Sequence, residues 1–394
     1  MEKLVDYAIS LEANQLERSV MRDLIRLISN PAILSLAGGL PADEFLPTEV
    51  IRDCMNTVLL RDGGKALQYG APYAPLRAWI ADYMQLRGVT CTPEQVFVTN
   101  GNQQGLAILS RLFLDRGSTA VTEAITFTGI QQATAGRGAT VLTVPTDLET
   151  GVDVDALEHA FAQSPQLAVL IPDFHNPLGV SMSLEKRQLV AQLAAAYSVP
   201  LVEDDPYSAL RFEGETLPPI KAFDEAGRVF YLGSFSKMLA PALRLGWMIA
   251  PQELLPRITT LRESLDLESS TLIQRTVAEF LSRGLLPAHL EQLNQNNLER
   301  RNLLLAGLDK YFADIAQWTT PQGGLFVWMT LPEHIDTWAM FDDALAHNVA
   351  YIPGGAFSVN KGHKNTLRLN FSKLAPEQLH EAVRRLYQVV SMWL

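Results

Sequence analysis

From about residue 95 to 250, short apolar runs alternate with segments whose apolar residues recur at helical spacing. The apolar runs are Gln95–Thr99, Ala120–Thr122, Ala139–Val144, Leu167–Ile171, Pro200–Val202, Val229–Leu232 and Leu245–Ala250. Several are nearly continuous in Val, Ile, Leu and Ala, the pattern of strands covered on both faces. Between them, Gln103–Leu114, Val154–Ala162 and Leu184–Tyr197 read as helices. This alternation predicts an α/β fold with a mainly parallel, seven-stranded sheet flanked by helices. Ligands of such sheets sit beyond the carboxyl ends of the strands.

The flanks differ. Leu11–Ile28 has the spacing of a charged amphipathic helix that ends before Asn30-Pro31, and a Gly/Pro-rich stretch runs from Ala37 to Pro47. Past residue 285 the chain becomes helix-rich over Pro287–Phe312. It then passes through a strand near Gly323–Trp328 to a last helix ending near Trp393. A chain of 394 residues exceeds one compact core. The expected division is an N-terminal arm (1–44), a large domain (45–285) and a smaller α+β domain (286–394).

Composition narrows the partners. With 47% hydrophobic and 19% charged residues the chain is ordinary for a globular protein, and its net charge of -11 argues against a phosphate-binding nucleic-acid surface. Cys54 and Cys91 are too few for a disulfide framework or a metal site, so reduced thiols and no metal are expected. The N-terminal segment is charged and lacks an uninterrupted apolar stretch, and no run reaches the roughly 18 apolar residues of a membrane span. The expectation is a cytoplasmic protein with no membrane contact.

Four segments carry chemistry. In Gly233-Ser234-Phe235-Ser236-Lys237, a lysine follows a buried strand and is flanked by hydroxyls, with Arg244 further on. The serines and the guanidinium suit a phosphate, and the amine suits a Schiff base with an aldehyde. Asp173-Phe174-His175-Asn176-Pro177-Leu178-Gly179 and Glu203-Asp204-Asp205-Pro206-Tyr207 also follow apolar runs. A buried carboxylate there can keep a pyridine nitrogen protonated, and an amide and a phenol can bond a ring oxygen. Thr99-Asn100-Gly101-Asn102-Gln103-Gln104 opens a helix, whose free N–H groups attract anions.

These motifs, with LAGGLP, QYGAPYAPLR and RLNFS, resemble the class I/II aminotransferases of pyridoxal 5'-phosphate (PLP) fold type I over about Leu36 to Phe371. The chain is most similar to the group holding 2-aminoadipate and kynurenine aminotransferases and the aminotransferase-like domains of MocR regulators. The resemblance implies ping-pong transfer of an amino group from an L-amino acid to a 2-oxo acid such as 2-oxoglutarate. It makes Lys237 the cofactor-bearing lysine and proton-shuttling base. Asp204 would pair with the pyridine nitrogen, and Asn176 and Tyr207 with the ring oxygen. The phosphate would lie among Ser234, Ser236, Arg244, Gly101, Asn102 and Gln103, with Phe127 stacked on the ring. Arg368 would fork onto the substrate α-carboxylate, and Gly39 would contact substrate through its backbone. Tyr69 would reach the phosphate of a second subunit, implying a homodimer with shared sites, and Arg22 would meet a side-chain carboxylate.

One departure stands out. Relatives flank the stacking aromatic with prolines, roughly D-P-T-Y-P-G, whereas Ala124-Ile125-Thr126-Phe127-Thr128-Gly129 has neither, and Phe127 has no hydroxyl.

Other readings exist. Ser234-Phe235-Ser236-Lys237 also satisfies the acylating S-x-x-K pattern, but its S-D-N and K-T-G partners are missing from the sequence. An effector-sensing MocR domain would carry a winged helix upstream, where about 35 residues precede Leu36 here. A PLP lyase, racemase or decarboxylase on the same fold is the alternative among enzymes.

Overall fold

The computed structural model describes Ile9, Ala13, Asn30 and residues 32–394. Arg22 and most of the helix expected over Leu11–Ile28 lie outside the described residues.

The apolar runs form one sheet. Its strands are β1 (Val96–Thr99), β2 (Thr119–Glu123), β3 (Thr140–Val144), β4 (Leu167–Leu170), β5 (Leu201–Asp205), β6 (Val229–Ser234) and β7 (Gly246–Ile249). They lie in the order β1-β7-β6-β5-β4-β2-β3. All neighbours are parallel except that β7 runs antiparallel to both β1 and β6. Alternate residues of β6 enter different cores, as a strand covered on both faces requires. Phe230 and Leu232 pack with Phe97, Leu106 and Met248, while Tyr231 packs on the other face with Trp247 and Phe280.

Register explains why the motifs meet. Gly246 lies level with Thr99 on one side and Ser234 on the other, and Asp204 is paired with Leu232. The carboxyl ends of β1, β5 and β6 therefore open onto one edge, where helix α1 (Asn102–Phe113) starts immediately after β1. β2 exceeds its predicted Ala120–Thr122 by one residue at each end, and two other strands run two or more residues past theirs. β5 continues through Glu203, Asp204 and Asp205, and β6 continues to Ser234, leaving Lys237 in the one-turn helix Phe235–Met238. Polar residues extend β5 because each carboxylate has partners inside. Glu203 accepts from Ile220 N and Lys221 N, both at 2.8 Å, and Asp205 accepts from Arg87, Tyr231 and Ser208.

The second core is built on an antiparallel sheet of β8 (Gln317–Trp318), β9 (Phe326–Thr330), β10 (Ile352–Pro353) and β11 (Thr366–Asn370), in the order β8-β9-β11-β10. Leu304, Leu308 and Phe312 of helix α3 (Leu286–Phe312) pack with Val383 and Leu386 of helix α4 (Pro376–Ser391) against it. Leu34-Ser35 pairs in parallel with Val349-Ala350, so the strap carrying Ala37 to Leu40 is drawn from this second core toward the large sheet. The isolated bridges Ile125–Ser358 and Arg211–Gly323 join the two bodies. Helix α2 (Thr128–Ala135) follows the first of these.

Candidate active site

Between the open edge of the large sheet, the strap and β11 lies a cavity of about 850 Å³. That is ample for an aromatic cofactor together with a small substrate. The Lys237 amine enters it and donates to the Gly39 carbonyl at 2.7 Å. Burial, with Arg368 and Arg244 nearby, pushes this amine down to about 8. Gly39 is closely packed, since a methyl group there would stand 3.1 Å from Cζ of Phe326.

Asp204 faces the same space. Burial raises its carboxyl to about 7, opposed by a bond that Asn102 Nδ2 donates at 2.6 Å. His175 Nε2 stands 3.0 Å from Glu123 Oε2, and both side chains are buried. Glu123 also accepts from Ile171 N at 3.1 Å, which fixes its carboxylate.

Asn176 joins two groups on the substrate side. Its Nδ2 donates to the Tyr207 hydroxyl at 3.3 Å, and its Oδ1 accepts from Arg368 Nη1 at 2.8 Å. Arg368 also donates through Nη2 to the Ala37 carbonyl at 2.6 Å, and its guanidinium lies over the Phe326 ring at 4.1 Å. Burial pushes this guanidinium down to about 9, a sign that a partner anion is wanted. Among the described residues its Nε has no acceptor.

At the other end, the start of α1 meets Ser234, Ser236 and Arg244. The first N–H groups of a helix lack intrahelical acceptors and favour an anion. Gly101 has a φ of 86°, and a methyl group on it would stand 3.1 Å from Arg244 Nη2. Only glycine lets the helix start come so close to the guanidinium. Arg244 is itself held by a 2.9 Å bond to the Asn100 carbonyl.

Phe127 caps α2 and lines the cavity. Its loop, lacking prolines, is pinned from the second body instead. Thr126 N donates to the Phe357 carbonyl at 2.9 Å, and Gln131 Nε2 donates to that carbonyl at 2.8 Å and to the Thr126 carbonyl at 3.2 Å.

The sequence-derived set thus converges, with three exceptions. Gly101 backs the cavity without lining it, and Tyr69 lies outside it, 76% exposed. Arg22 lies outside the described residues. Sequence reasoning missed Phe326, Lys373, Gln131 and the Glu123–His175 pair. The glycines before Phe326 and the position of Lys373 directly after the RLNFS segment were the available signals for the first two. Glu123 and Gln131 carried none. Among the described residues no group of three or more His, Cys, Asp or Glu could hold a metal ion.

Residues 33–386 match the family model for aminotransferase class I and II. The chain belongs to that family. As a class I/II aminotransferase it is a PLP enzyme of fold type I that transfers amino groups. It is 37% identical to an aromatic-amino-acid aminotransferase of Thermococcus litoralis, covering 97% of this chain and 93% of the other. The kynurenine aminotransferase of Pyrococcus horikoshii superposes with a TM-score of 0.92 at 34% identity, covering 98% of both chains. An alpha-aminoadipate aminotransferase of Thermus thermophilus, solved with N-(5'-phosphopyridoxyl)-L-leucine, superposes with a TM-score of 0.90 at 38% identity over 98% of this chain and 97% of that one. The cavity fits the cofactor these aminotransferases share. It offers an amine, a carboxylate facing it, and an anion cradle of helix N–H groups, serine hydroxyls and Arg244. No helix among the described residues is long and apolar enough to cross a membrane.

Proposed function

We propose that this aminotransferase holds PLP through Lys237 and takes the α-carboxylate of an L-amino acid on Arg368. The observation that carries the reading is the shared cavity, in which the Lys237 amine, the Asp204 carboxylate and the forked Arg368 guanidinium all face one space. Asp204 would hold the pyridine nitrogen, and Asn176 and Tyr207 the ring oxygen. Ser234, Ser236, Arg244 and the N–H groups of Gly101, Asn102 and Gln103 would hold the phosphate, with Phe127 against the ring. When bound, the cofactor supplies a conjugated ring that takes up the electrons left by loss of an α-proton.

The protein's own groups do the rest. With its amine at about 8, Lys237 is partly unprotonated near neutral pH, so Nζ can take the α-proton and return one to a neighbouring carbon. The Gly39 carbonyl orients that nitrogen from the strap side. Burial alone favours the neutral form of Asp204, and a cation placed beside it would favour the carboxylate. Arg368, already bonded to Asn176 and Ala37, keeps its fork fixed, so little is lost in ordering it around a carboxylate. Asn102 Nδ2, donating to Asp204 at 2.6 Å, fixes that carboxylate's orientation.

The cycle would be ping-pong, with a 2-oxo acid such as 2-oxoglutarate as acceptor. A homodimer belongs to this reading, in which Tyr69, exposed beside Leu67, would reach the phosphate held by a second copy. So do a division into arm, large and small domains at residues 44 and 285, and a cytoplasmic setting, which suits the free thiols of Cys54 and Cys91. The test mixes purified holoenzyme with single amino acids and no acceptor. Each true donor should bleach the visible cofactor band and release one equivalent of its 2-oxo acid. A bleached band with carbon dioxide or an alkene-derived product instead would refute transamination.

A further inference from the structure

Among the described residues, four cationic side chains line the cavity, Lys237, Arg244, Arg368 and Lys373, against the single carboxylate of Asp204. In the function proposed above the first three are occupied by the cofactor's carbonyl and phosphate and by the substrate's α-carboxylate. Lys373 is left over. Among the described residues it has no ion-pair partner, although carboxylates are plentiful in this acidic chain.

Its base is nevertheless fixed. Lys373 N donates to Asn370 Oδ1 at 3.2 Å, and Asn370 Nδ2 donates to Ser372 Oγ at 2.9 Å. Ser372 Oγ in turn donates to the Leu40 carbonyl at 2.9 Å. This buried relay ties the end of β11, which carries Arg368, to the strap that carries Gly39. The lysine stem then runs beside Gly38, where a methyl group would stand 3.9 Å from its Cδ. Lys373 thus presents an exposed ammonium at the cavity's mouth from a rigid root just past β11, beside the strap that also orients Lys237. Leu40 and Phe326 add apolar wall to the same cavity, suited to methylenes between two charged ends.

We infer that Lys373 receives a second, distal carboxylate of the substrate, so that dicarboxylic amino acids and oxo acids are the preferred pair. The inference rests on Arg368 taking the α-carboxylate. An ammonium at the mouth attracts such a side chain without excluding others. A monocarboxylic substrate leaves Lys373 in water and loses little, whereas a dicarboxylic one gains a charge-assisted bond. That bond is made equally in ground and transition states, so its effect falls on KM rather than kcat.

The experiment compares L-glutamate and L-2-aminoadipate with L-leucine as donors in wild-type, Lys373→Ala, Lys373→Arg and Arg22→Ala holoenzymes. Lys373→Ala should lower kcat/KM for the two dicarboxylic donors by tenfold or more beyond its effect on leucine, through KM, and Lys373→Arg should restore most of it. In the wild type, 0.5 M salt should narrow the preference. Three outcomes would overturn the inference: a parallel fall for leucine and glutamate, a wild type that prefers leucine, or the selective loss arising in Arg22→Ala instead. The visible band and its bleaching by leucine report separately on the reading of Lys237 and Arg368.

Discussion

Arg368 Nη1 donates to Asn176 Oδ1 over 2.8 Å, deep between the two sheets. Because Asn176 turns its Nδ2 toward the Tyr207 hydroxyl, one amide orients both the carboxylate-binding guanidinium and the phenol. The two contacts assign the amide's two ends without ambiguity, since arginine can only donate. This relay joins the second body to the sheet edge through side chains alone.

Removing the guanidinium should therefore hurt binding more than removing its bracket. Truncating one partner of a buried charged bond costs about 2–5 kcal/mol. Arg368→Ala should raise KM for every α-amino acid about a hundredfold. Asn176→Ala should cost about tenfold in kcat/KM and should also shift the visible spectrum, because the ring-side contact goes with it. Steady-state kinetics with one donor, read beside absorbance, separates the two.

The amine of Lys237, pushed down to about 8, sets a pH dependence for cofactor capture. Only the unprotonated amine attacks an aldehyde, and its fraction grows as pH rises through about 8. Reconstitution of apoenzyme with PLP at fixed concentration should speed up from pH 6.5 to 8.5 and level off above. A rate independent of pH across that window would show that the amine is not the titrating group.

The loop bearing Phe127 is held by Gln131 rather than by prolines, and space around it is tight. A methyl group on Gly129 would overlap the Phe127 ring and the Gln103 amide. Gly129→Ala should weaken cofactor affinity about tenfold or more by displacing the ring, while Gln131→Ala, which leaves the Thr126–Phe357 bond intact, should have a several-fold effect. Equilibrium titration of apoenzyme with PLP measures both.

Arg87 is buried against Asp205, at 2.9 Å, and against Tyr231. Arg87→Met strands the carboxylate next to Asp204 without its cation. A loss of about 3–5 kcal/mol of stability is expected, read as a lower midpoint in chemical denaturation. Arg52→Met, at the exposed ion pair with Glu49, should change the midpoint little.

How far the sequence revealed this arrangement depended on the kind of signal. The seven strands were legible because continuous apolar runs such as Val229–Leu232 have one explanation, burial on both faces. Their polar extensions were not. Glu203, Asp204 and Asp205 read as a loop by composition and belong to β5, because Arg87, the Ile220 and Lys221 amides and Asn102 arrive from distant parts of the chain to satisfy them. Lys237, Asp204, Asn176 and Arg368 were legible as a set because the motifs around them keep a characteristic order. Lys373 lies just past such a motif, after RLNFS, and Gln131 sits in a segment without one. Their meaning comes from a partner about 335 residues away in one case and 226 in the other, as with the Gly38 stem contact and the Phe357 carbonyl. Where prolines are missing around Phe127, the chain supplies a restraint from another element, the Phe357 carbonyl.

Reduction of the holoenzyme with borohydride, followed by peptide mass mapping, tests the central assignment most directly. A single pyridoxyl adduct should appear on the peptide containing Lys237, at one per chain, and Lys237→Ala should yield none. An adduct on any other lysine, or full labelling that survives the substitution, would contradict it.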